Sequence, residues 1–359
     1  MLNIITEELD SRFVKVNLKL IIRMKKNATI DIIRFLAALL VALFHFNCYF
    51  PHINNWYYNS IQYGWLGVPA FFVISGYCVT LSGFKSISAN DFIIRRMFRI
   101  FPPFWVSLIT TFIVVVLHKL IVGYNRTTLP HNLIEVFESI FLLTSPYSKT
   151  VPVNGVYWSL TVEMFFYIII YFICFTPKKF IIGLMAFVST LSLFNSLSEI
   201  RVLFFLQYWP AFGIGASIYF LSFKSTIQKI LSLILLCINS ISLINSTYPG
   251  GDKSPYLIVT FSIAIIIFFS EYINLKENKL SKLGNYSFGV YLLHGSIGVN
   301  LLGIIKNKVI EENLMFNIPF DILSYLIVLF IAYYFYEFIE RKSIEIGKKV
   351  LAGNTLPSP

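Results

Sequence analysis

Apolar stretches long enough to cross a lipid bilayer recur along almost the whole chain. A transmembrane helix needs about 20 apolar residues, and the sequence contains ten candidate stretches. They are residues 32–50, 64–82, 101–122, 155–176, 180–196, 202–222, 227–246, 255–272, 284–304 and 318–337. The stretch 180–196 is short, and the stretch 133–144 is shorter still, so we expect the latter to lie at the membrane surface or to re-enter. The pattern predicts an all-α, polytopic membrane protein with about 10 transmembrane helices.

The composition supports this class of protein and argues against others. Only 13% of the 359 residues are charged, whereas a soluble domain carries roughly 25%, and the mean hydropathy is +0.72. Too few polar side chains remain to cover a soluble surface, and such an apolar chain is not disordered. The four cysteines lie in or beside apolar runs without metal-ligand spacing, which predicts buried free thiols and no metal site.

The net charge of +11 is explained by membrane topology. Ten spans place both termini on one side, and 22 of the 29 lysines and arginines then fall on that side. Because cytoplasmic loops are enriched in basic residues, we predict that both termini are cytoplasmic and that the charge does not indicate nucleic acid. The predicted organisation is a basic N-terminal tail (1–31), a transmembrane domain (32–340) and a cytoplasmic C-terminal tail (341–359).

Few ionisable residues are predicted inside the spans, where each one is costly and marks a candidate site. Arg34 and His45 share one face of the first span, about 16 Å apart along the helix axis. Glu163 follows Trp158 by five residues in the fourth span, and His294 reaches a similar depth in the ninth. We therefore predict that His45, Glu163 and His294 converge, with Glu163 fixing the imidazole of His45. The structural alternatives are a membrane-edge anchor for Arg34 and interhelical bracing for the others.

Two arginines before the third span, Arg96 and Arg99, have the i,i+3 spacing that places side chains on one face of a helix. Arginine clusters bind phosphate well, although arginines here are also typical of a cytoplasmic flank. In the second span, Ser75 and Gly76 allow close helix packing. No general base adjoins Ser75 in the sequence, which argues against a serine nucleophile.

Taken together, five ordered motifs resemble those of the acyltransferase 3 family of bacterial membrane acyltransferases. The matches are Arg34-x10-His45, Gly67-Val68 through Phe71-Phe72-Val73-Ile74-Ser75-Gly76-Tyr77, Arg96-x-x-Arg99-Ile100-x-Pro102, Trp158-Ser159-Leu160-x-x-Glu163, and Tyr286-Ser287 through Tyr291-Leu292-x-His294. They follow the family's order and cover residues 31–340. One such motif is weak evidence, but five in order on matching spans form a specific pattern.

The resemblance implies roles for individual residues. It implies that His45 is catalytic, acting as a general base or as an acyl carrier, with Arg34 and Glu163 as further catalytic residues. It assigns Arg34, Arg96 and Arg99 to binding of the donor. The remaining motif positions become substrate or supporting residues, namely Ser75, Trp158, Tyr291 and His294.

The resemblance also implies a reaction, which is transfer of an acetyl group from cytoplasmic acetyl-CoA without a metal. The implied acceptor is a hydroxyl of an extracytoplasmic or lipid-linked glycan, such as O-antigen, capsule or exopolysaccharide, at the bacterial inner membrane. Larger relatives carry an extracytoplasmic hydrolase-like domain that completes transfer. The expectation here is therefore either direct transfer to the acceptor or transfer through a separate extracytoplasmic partner.

Two other functions remain as alternatives for a polytopic membrane protein of this composition. A polysaccharide transporter or flippase needs polar groups along a path through many helices, whereas the ionisable groups here are few and clustered. The second alternative is a non-catalytic membrane partner of glycan assembly, which turnover of acetyl-CoA by the purified protein would distinguish from an enzyme.

Overall fold

The computed structural model describes residues 27–48, 54–124, 127–246, 252–273 and 275–353, and within these ranges every regular element is helical. The α-helices are α1 (Ala28–Asn47), α2 (Trp56–Ile61), α3 (Gly67–Lys85), α4 (Ala89–Val122), α5 (Leu133–Ile140), α6 (Trp158–Cys174), α7 (Ile181–Leu191), α8 (Trp209–Leu221), α9 (Thr226–Asn245), α10 (Lys253–Ser270), α11 (Lys279–Leu283), α12 (Ser287–Leu293), α13 (Lys308–Glu312), α14 (Leu314–Phe335) and α15 (Arg341–Gly353). Two π-helical segments, His294–Leu301 and Tyr336–Glu340, continue α12 and α14.

The described part of the chain contains eight helical stretches that are long and apolar enough to cross a membrane. A ninth is added if Arg201–Gln207 and α8, which are bent by 57° relative to each other, form one span. The predicted span 180–196 contains α7, whose 11 residues extend only about 16 Å. The predicted number of about ten is therefore not confirmed, and residues 1–26 and 354–359, which bear on the position of the termini, lie outside the described residues.

The outer surface of the helices is apolar, as lipid contact requires. On α4, for example, Ile109, Phe112 and Leu120 are exposed, while the opposite face buries polar Ser107 and Thr111. This distribution identifies a multi-pass membrane protein, because a water-exposed surface would reverse it. The four cysteines are free, but Cys48 and Cys237 are exposed, contrary to the prediction of buried thiols.

Helix α4 is longer than the sequence predicted, because it begins at Ala89 and continues through two prolines to Val122. Pro102 has no N–H and leaves the carbonyl of Phe98 without its helical donor. The hydroxyl of Ser343 on α15 donates a hydrogen bond to this carbonyl. The predicted C-terminal tail therefore begins as a helix packed on α4. The residues just before the predicted third span are also helical, so Arg96 and Arg99 have the helical spacing that the sequence suggested.

Close contact between α3 and α8 places Ser75 within the helix bundle. A Cβ atom on Gly76 would lie 2.0 Å from the carbonyl oxygen of Phe212, and one on Gly215 would lie 2.0 Å from that of Val73. Glycine is thus required at both positions for the two backbones to approach. This packing holds α3 beside α6, where Ser75 meets Glu163.

Candidate active site

A cavity of about 310 Å³ lies among α1, α3, α4, α6, α12 and the C-terminal helix. All three predicted donor-binding arginines line it, namely Arg34, Arg96 and Arg99, and we call this part of the cavity the arginine end. The remaining polar lining comes chiefly from α6 and α12, including Glu163 and Tyr291. The structure therefore gathers into one cavity residues that are widely separated in the sequence.

Arg96 is the most deeply placed of the three arginines. Its guanidinium donates a hydrogen bond to the carbonyl oxygen of Cys78 at 3.3 Å and lies over the rings of Phe92 and Tyr167, at 5.7 and 5.4 Å from their centroids. Its Nε has no hydrogen-bond partner among the described residues. Aromatic faces stabilise a buried cation, so Arg96 adds positive charge to the cavity wall while retaining a free donor.

Arg34 and Arg99 are more accessible than Arg96. Arg34 lies 3.7 Å from Asp31, one turn earlier on α1. Glu340, in the second π-helical segment, is buried in the same wall, and its Oε1 has no hydrogen-bond partner among the described residues. The arginine end therefore presents cationic groups to an anion together with the carboxylates of Asp31 and Glu340.

Glu163 lies in the wall of the cavity, held by two hydroxyl groups. Ser75 Oγ and Tyr167 Oη each donate a hydrogen bond to its Oε1 at 2.6 Å. Ser75 comes from the facing helix α3, and Tyr167 lies one turn further along α6. The sequence identified Glu163 and Ser75 as site residues but placed Glu163 beside the wrong partner, because depth in the membrane does not specify the rotation of a helix.

His45 and His294 are brought together as predicted. His294 Nε2 lies 3.3 Å from His45 Nδ1. The Nδ1 atom of each ring also contacts a carbonyl oxygen one turn earlier, that of Val41 at 2.8 Å and that of Val290 at 3.1 Å. Carbonyl oxygens only accept hydrogen bonds, so both neutral rings carry their proton on Nδ1.

This proton assignment determines what the histidine pair offers to a substrate. His294 Nε2 has a free lone pair, so it accepts a hydrogen bond from His45 Nδ1–H, which it shares with the Val41 carbonyl. His45 Nε2 is then unprotonated and is the ring nitrogen available for chemistry. His45 is only partly buried, whereas His294 is fully buried. The more accessible ring, that of His45, is therefore the one whose Nε2 has no hydrogen-bond partner within the pair.

Tyr291 lies between the cavity and the histidine pair. Its ring centroid is 5.8 Å from that of His294, and its hydroxyl contacts Ser159 Oγ at 2.5 Å and donates to the carbonyl oxygen of Val156. Tyr291 also lines the cavity. The predicted contact between Glu163 and His45 is absent from the described residues, since Ser159 and Tyr291 stand on the side of the cavity that faces the histidines.

Comparison with known proteins agrees with this arrangement. A family model described as an acyltransferase domain matches residues 27–337. The chain belongs to the acyltransferase 3 family. The acyltransferase is 26% identical, over 337 residues, to a protein named O-acetyl transferase from Shigella phage Sf6, covering 89% of this chain and 96% of that protein. It is 29% identical over 145 residues to Nodulation protein 10 of Rhizobium leguminosarum bv. viciae, covering 33% of this chain and 38% of that protein.

No solved structure shows a significant match to the acyltransferase. Within the described residues, no group of three or more His, Cys, Asp or Glu side chains is placed to hold a metal ion.

Trp158, predicted as a supporting residue, packs against Phe72 and Tyr208 in an aromatic cluster beside the cavity. Its side chain supports the helix that carries Glu163 from outside the cavity wall.

Sequence reasoning missed several polar residues of the acyltransferase. Tyr167 and Glu340 line the cavity, and a buried ion pair joins Lys306 to Asp321. Asp321 lies inside a predicted span, so the rule that flagged His45 would also have found it. Tyr167 carries no comparable signal, because one tyrosine among many in apolar helices is unremarkable in a sequence.

Proposed function

We propose that this acyltransferase is an O-acetyltransferase that moves an acetyl group from cytoplasmic acetyl-CoA to a hydroxyl of an extracytoplasmic or lipid-linked glycan. The observation that carries the proposal is the arrangement on α1. Arg34 lines the cavity, and His45, with its free Nε2, follows about three helical turns further on the same face. In this proposal the protein lies in the bacterial inner membrane, with the arginine end and both termini towards the cytoplasm.

The arginine end suits the phosphates of the donor. Guanidinium groups bind phosphate through charge-assisted hydrogen bonds, and Arg34, Arg96 and Arg99 all line the cavity. The unpartnered Arg96 Nε and Glu340 Oε1 add one donor and one acceptor to the same wall. In our proposal the phosphates lie at this end, and the pantetheine arm runs past Glu163 towards Tyr291.

His45 Nε2 acts as the general base in the proposed transfer. It accepts the proton of an acceptor hydroxyl, whose oxygen attacks the thioester carbonyl carbon. The carbon–sulfur bond breaks, and the CoA sulfur leaves as a thiolate that is subsequently protonated. The carbonyl oxygen of Val41 accepts the Nδ1–H of His45 and holds the ring in the required tautomer, and His294 Nε2 provides a second acceptor that fixes the ring. After taking up the proton, the cationic His45 ring still donates its Nδ1–H to the Val41 carbonyl and to His294 Nε2.

Glu163, Ser75 and Tyr167 serve the donor cavity in this proposal. Their hydrogen bonds hold a carboxylate in the wall close to the buried Arg96, whose guanidinium packs on the Tyr167 ring. A nearby negative charge lowers the cost of burying the arginine. We therefore assign Glu163 to positioning Arg96 and the donor, and not to orienting His45.

The main alternative chemistry is nucleophilic catalysis by His45. Nε2 would attack the thioester, release CoA and carry the acetyl group before passing it to the hydroxyl. Acetyl-CoA supplied without acceptor distinguishes the two routes. A peptide containing acetylated His45 in mass spectrometry would overturn the role of general base.

The decisive experiment measures transfer from radiolabelled acetyl-CoA to de-esterified surface polysaccharide from a strain lacking the gene. The test variant is His45→Ala, and the matched control is His118→Ala, which removes a buried histidine that contacts the Tyr124 carbonyl instead of the site. We expect His45→Ala to lose about 10²- to 10⁴-fold in turnover while binding acetyl-CoA normally. Near-normal transfer by His45→Ala would refute the role of His45 as general base, and absence of transfer by the wild-type protein would refute the proposed function.

A deletion strain tests the transporter or flippase alternative. Loss of an O-acetyltransferase leaves surface polymer that lacks ester-linked acetyl groups, which mass spectrometry or NMR detects. Loss of a flippase removes the polymer itself. Turnover of acetyl-CoA by the purified protein rules out a purely non-catalytic partner of glycan assembly.

A further inference from the structure

A buried ion pair lies next to the end of α1, close to the histidine pair. Lys306 Nζ is 2.7 Å from Asp321 Oδ1, and the two side chains are only 2% and 0% exposed. Lys306 comes from the segment that follows His294, and Asp321 comes from α14. None of the chemistry assigned to His45 so far uses this pair.

Lys306 binds directly to the last turn of α1. Besides Asp321, its Nζ donates hydrogen bonds to the carbonyl oxygen of Phe46 at 3.1 Å and to Asn47 Oδ1 at 2.8 Å. The last carbonyl groups of a helix have no partner within the helix. All three ammonium protons are thereby used, and the two residues that follow His45 are fixed by one cation.

Asp321 completes the arrangement through its other carboxylate oxygen. Oδ2 accepts hydrogen bonds from Asn47 Nδ2 at 2.6 Å and from the hydroxyl of Tyr57 on α2 at 2.8 Å. We call these four residues, Lys306, Asp321, Asn47 and Tyr57, the α1 clamp. Tyr57 is buried in this contact with Asp321.

The segment from His294 to Lys306 runs along the last turn of α1. His294 contacts His45, and Lys306 contacts Phe46 and Asn47. Between them, Gly298 leaves room for the Phe46 ring, since a Cβ atom there would lie 2.1 Å from Cε1 of that ring. Part of this segment is π-helical, a geometry that is often found at functional sites. The clamp thus belongs to the element that presents His294 to His45.

Stability alone is a poor explanation for this ion pair. Removing two charges from water largely offsets their mutual attraction, and apolar residues of similar volume often stabilise a fold equally well. Buried charges do specify geometry in some proteins, because an alternative arrangement leaves a charge unpaired. Here the geometry that they specify is that of the turn containing His45.

We propose that the α1 clamp positions His45 for catalysis. This inference rests on the proposed function of His45. By fixing Phe46 and Asn47, Lys306 and Asp321 hold the His45 ring against His294 with Nε2 directed away from the pair. Lys306 and Asp321 are positioning residues in this proposal, since they act through His45 and touch neither the donor nor the acceptor.

The test replaces Lys306 by methionine, with Lys308→Met as the matched control. Lys308 lies two residues away and forms a 3.5 Å ion pair with Glu312, in which both side chains are largely exposed. Transfer of radiolabelled acetyl to de-esterified polysaccharide gives kcat and KM, and bound acetyl-CoA gives the fraction of folded protein. We expect Lys306→Met to lower kcat per folded molecule at least tenfold, with KM for acetyl-CoA changed less than twofold.

Two further variants keep the proposal falsifiable if Lys306→Met does not fold. Tyr57→Phe removes one hydrogen bond from Asp321 without a change in charge, and we expect a two- to fivefold loss in kcat. The pair Lys306→Met with Asp321→Leu restores charge balance, and we expect it to fold while kcat remains low. The positioning role of the α1 clamp would be refuted if these variants kept wild-type kcat per folded molecule, or if only KM for acetyl-CoA changed.

The controls distinguish failure of the clamp from failure of the proposed function. If His45→Ala retains normal transfer, the assignment of His45 fails and the clamp fails with it. If His45→Ala is inactive while the clamp variants keep wild-type kcat, the proposed function stands and the clamp alone is refuted. A lower kcat in Lys308→Met of the same size as in Lys306→Met would also refute it.

Discussion

Replacing His294 by leucine measures how much the second histidine contributes to catalysis by His45. The change removes the Nε2 atom that accepts the His45 Nδ1–H at 3.3 Å and leaves the Val41 carbonyl at 2.8 Å as the remaining acceptor. The His45 tautomer therefore survives, but the ring loses one of its two fixed contacts. Leucine also leaves no polar atom in a position that is fully buried.

The structure sets the expected size of this effect. A single hydrogen bond contributes about 0.5–1.5 kcal/mol net, which corresponds to a loss of about 2- to 13-fold in kcat at 25 °C. If His294 were itself the general base, the loss would be about 10²- to 10⁴-fold. The two roles thus predict losses in kcat that do not overlap. Because the contact of His45 with His294, at 3.3 Å, is longer than its contact with Val41, at 2.8 Å, we expect a loss in the lower part of the 2- to 13-fold range.

Single-turnover transfer from radiolabelled acetyl-CoA to de-esterified polysaccharide measures this loss directly. His294→Gln is the conservative partner, because its amide oxygen restores an acceptor near the original Nε2 position. We expect His294→Leu to lose a few-fold in rate and His294→Gln to recover most of it, with acetyl-CoA affinity unchanged in both. A loss above 100-fold that glutamine does not restore would refute the assignment of His45 as the base, and an unchanged rate would refute the positioning role of His294.

Three further perturbations test the donor site, the titration of Glu311 on α13 and the packing between α3 and α8. Arg99→Ala removes a cavity-lining charge and should raise KM for acetyl-CoA about 10- to 100-fold. The control Arg95→Ala breaks only a local ion pair with Asp91 one turn earlier. It should leave KM unchanged in the same kinetic assay. Burial raises the pKa of Glu311 to about 7 from 4.5, so the folded state keeps its proton while the unfolded chain loses it, and stability falls as pH rises between these values. The melting temperature of Glu311→Gln, relative to wild type, should therefore rise from pH 4.5 to pH 7, and a constant difference would contradict this. Gly76→Ala should abolish or strongly destabilise folding because of the 2.0 Å approach to a carbonyl oxygen, whereas Gly183→Ala, with no described atom within 4 Å, should be tolerated in a thermal unfolding assay.

Local signals in the sequence predicted the depth of the candidate site residues in the membrane better than they predicted their contacts. Counting residues from the membrane edge placed His45 and His294 at one depth, and the structure joins them at 3.3 Å. The same count placed Glu163 with them, but its hydrogen bonds go to Ser75 and Tyr167. Depth depends on position along one helix, whereas contacts depend on rotation about the helix axis, which neighbouring helices determine.

Helix α4 shows the same limit for secondary structure. The sequence predicted a third span over residues 101–122, but the helix begins twelve residues earlier, at Ala89. The carbonyl that Pro102 leaves unpaired is satisfied by Ser343, which is 245 residues distant along the chain. No local pattern contains that partner, so the continuation of the helix through the two prolines depends on tertiary packing.

The sequence by itself determined the membrane class, the scarcity of internal charge and the family of the chain, since each rests on residue types and their spacing within single helices. The tertiary structure alone decided that Glu163 bonds to Ser75 and Tyr167 in the cavity wall and that Lys306 and Asp321 bind the end of α1. These contacts join residues as far as 274 positions apart. They exist only once packed helices exclude water and each buried polar group must find a partner.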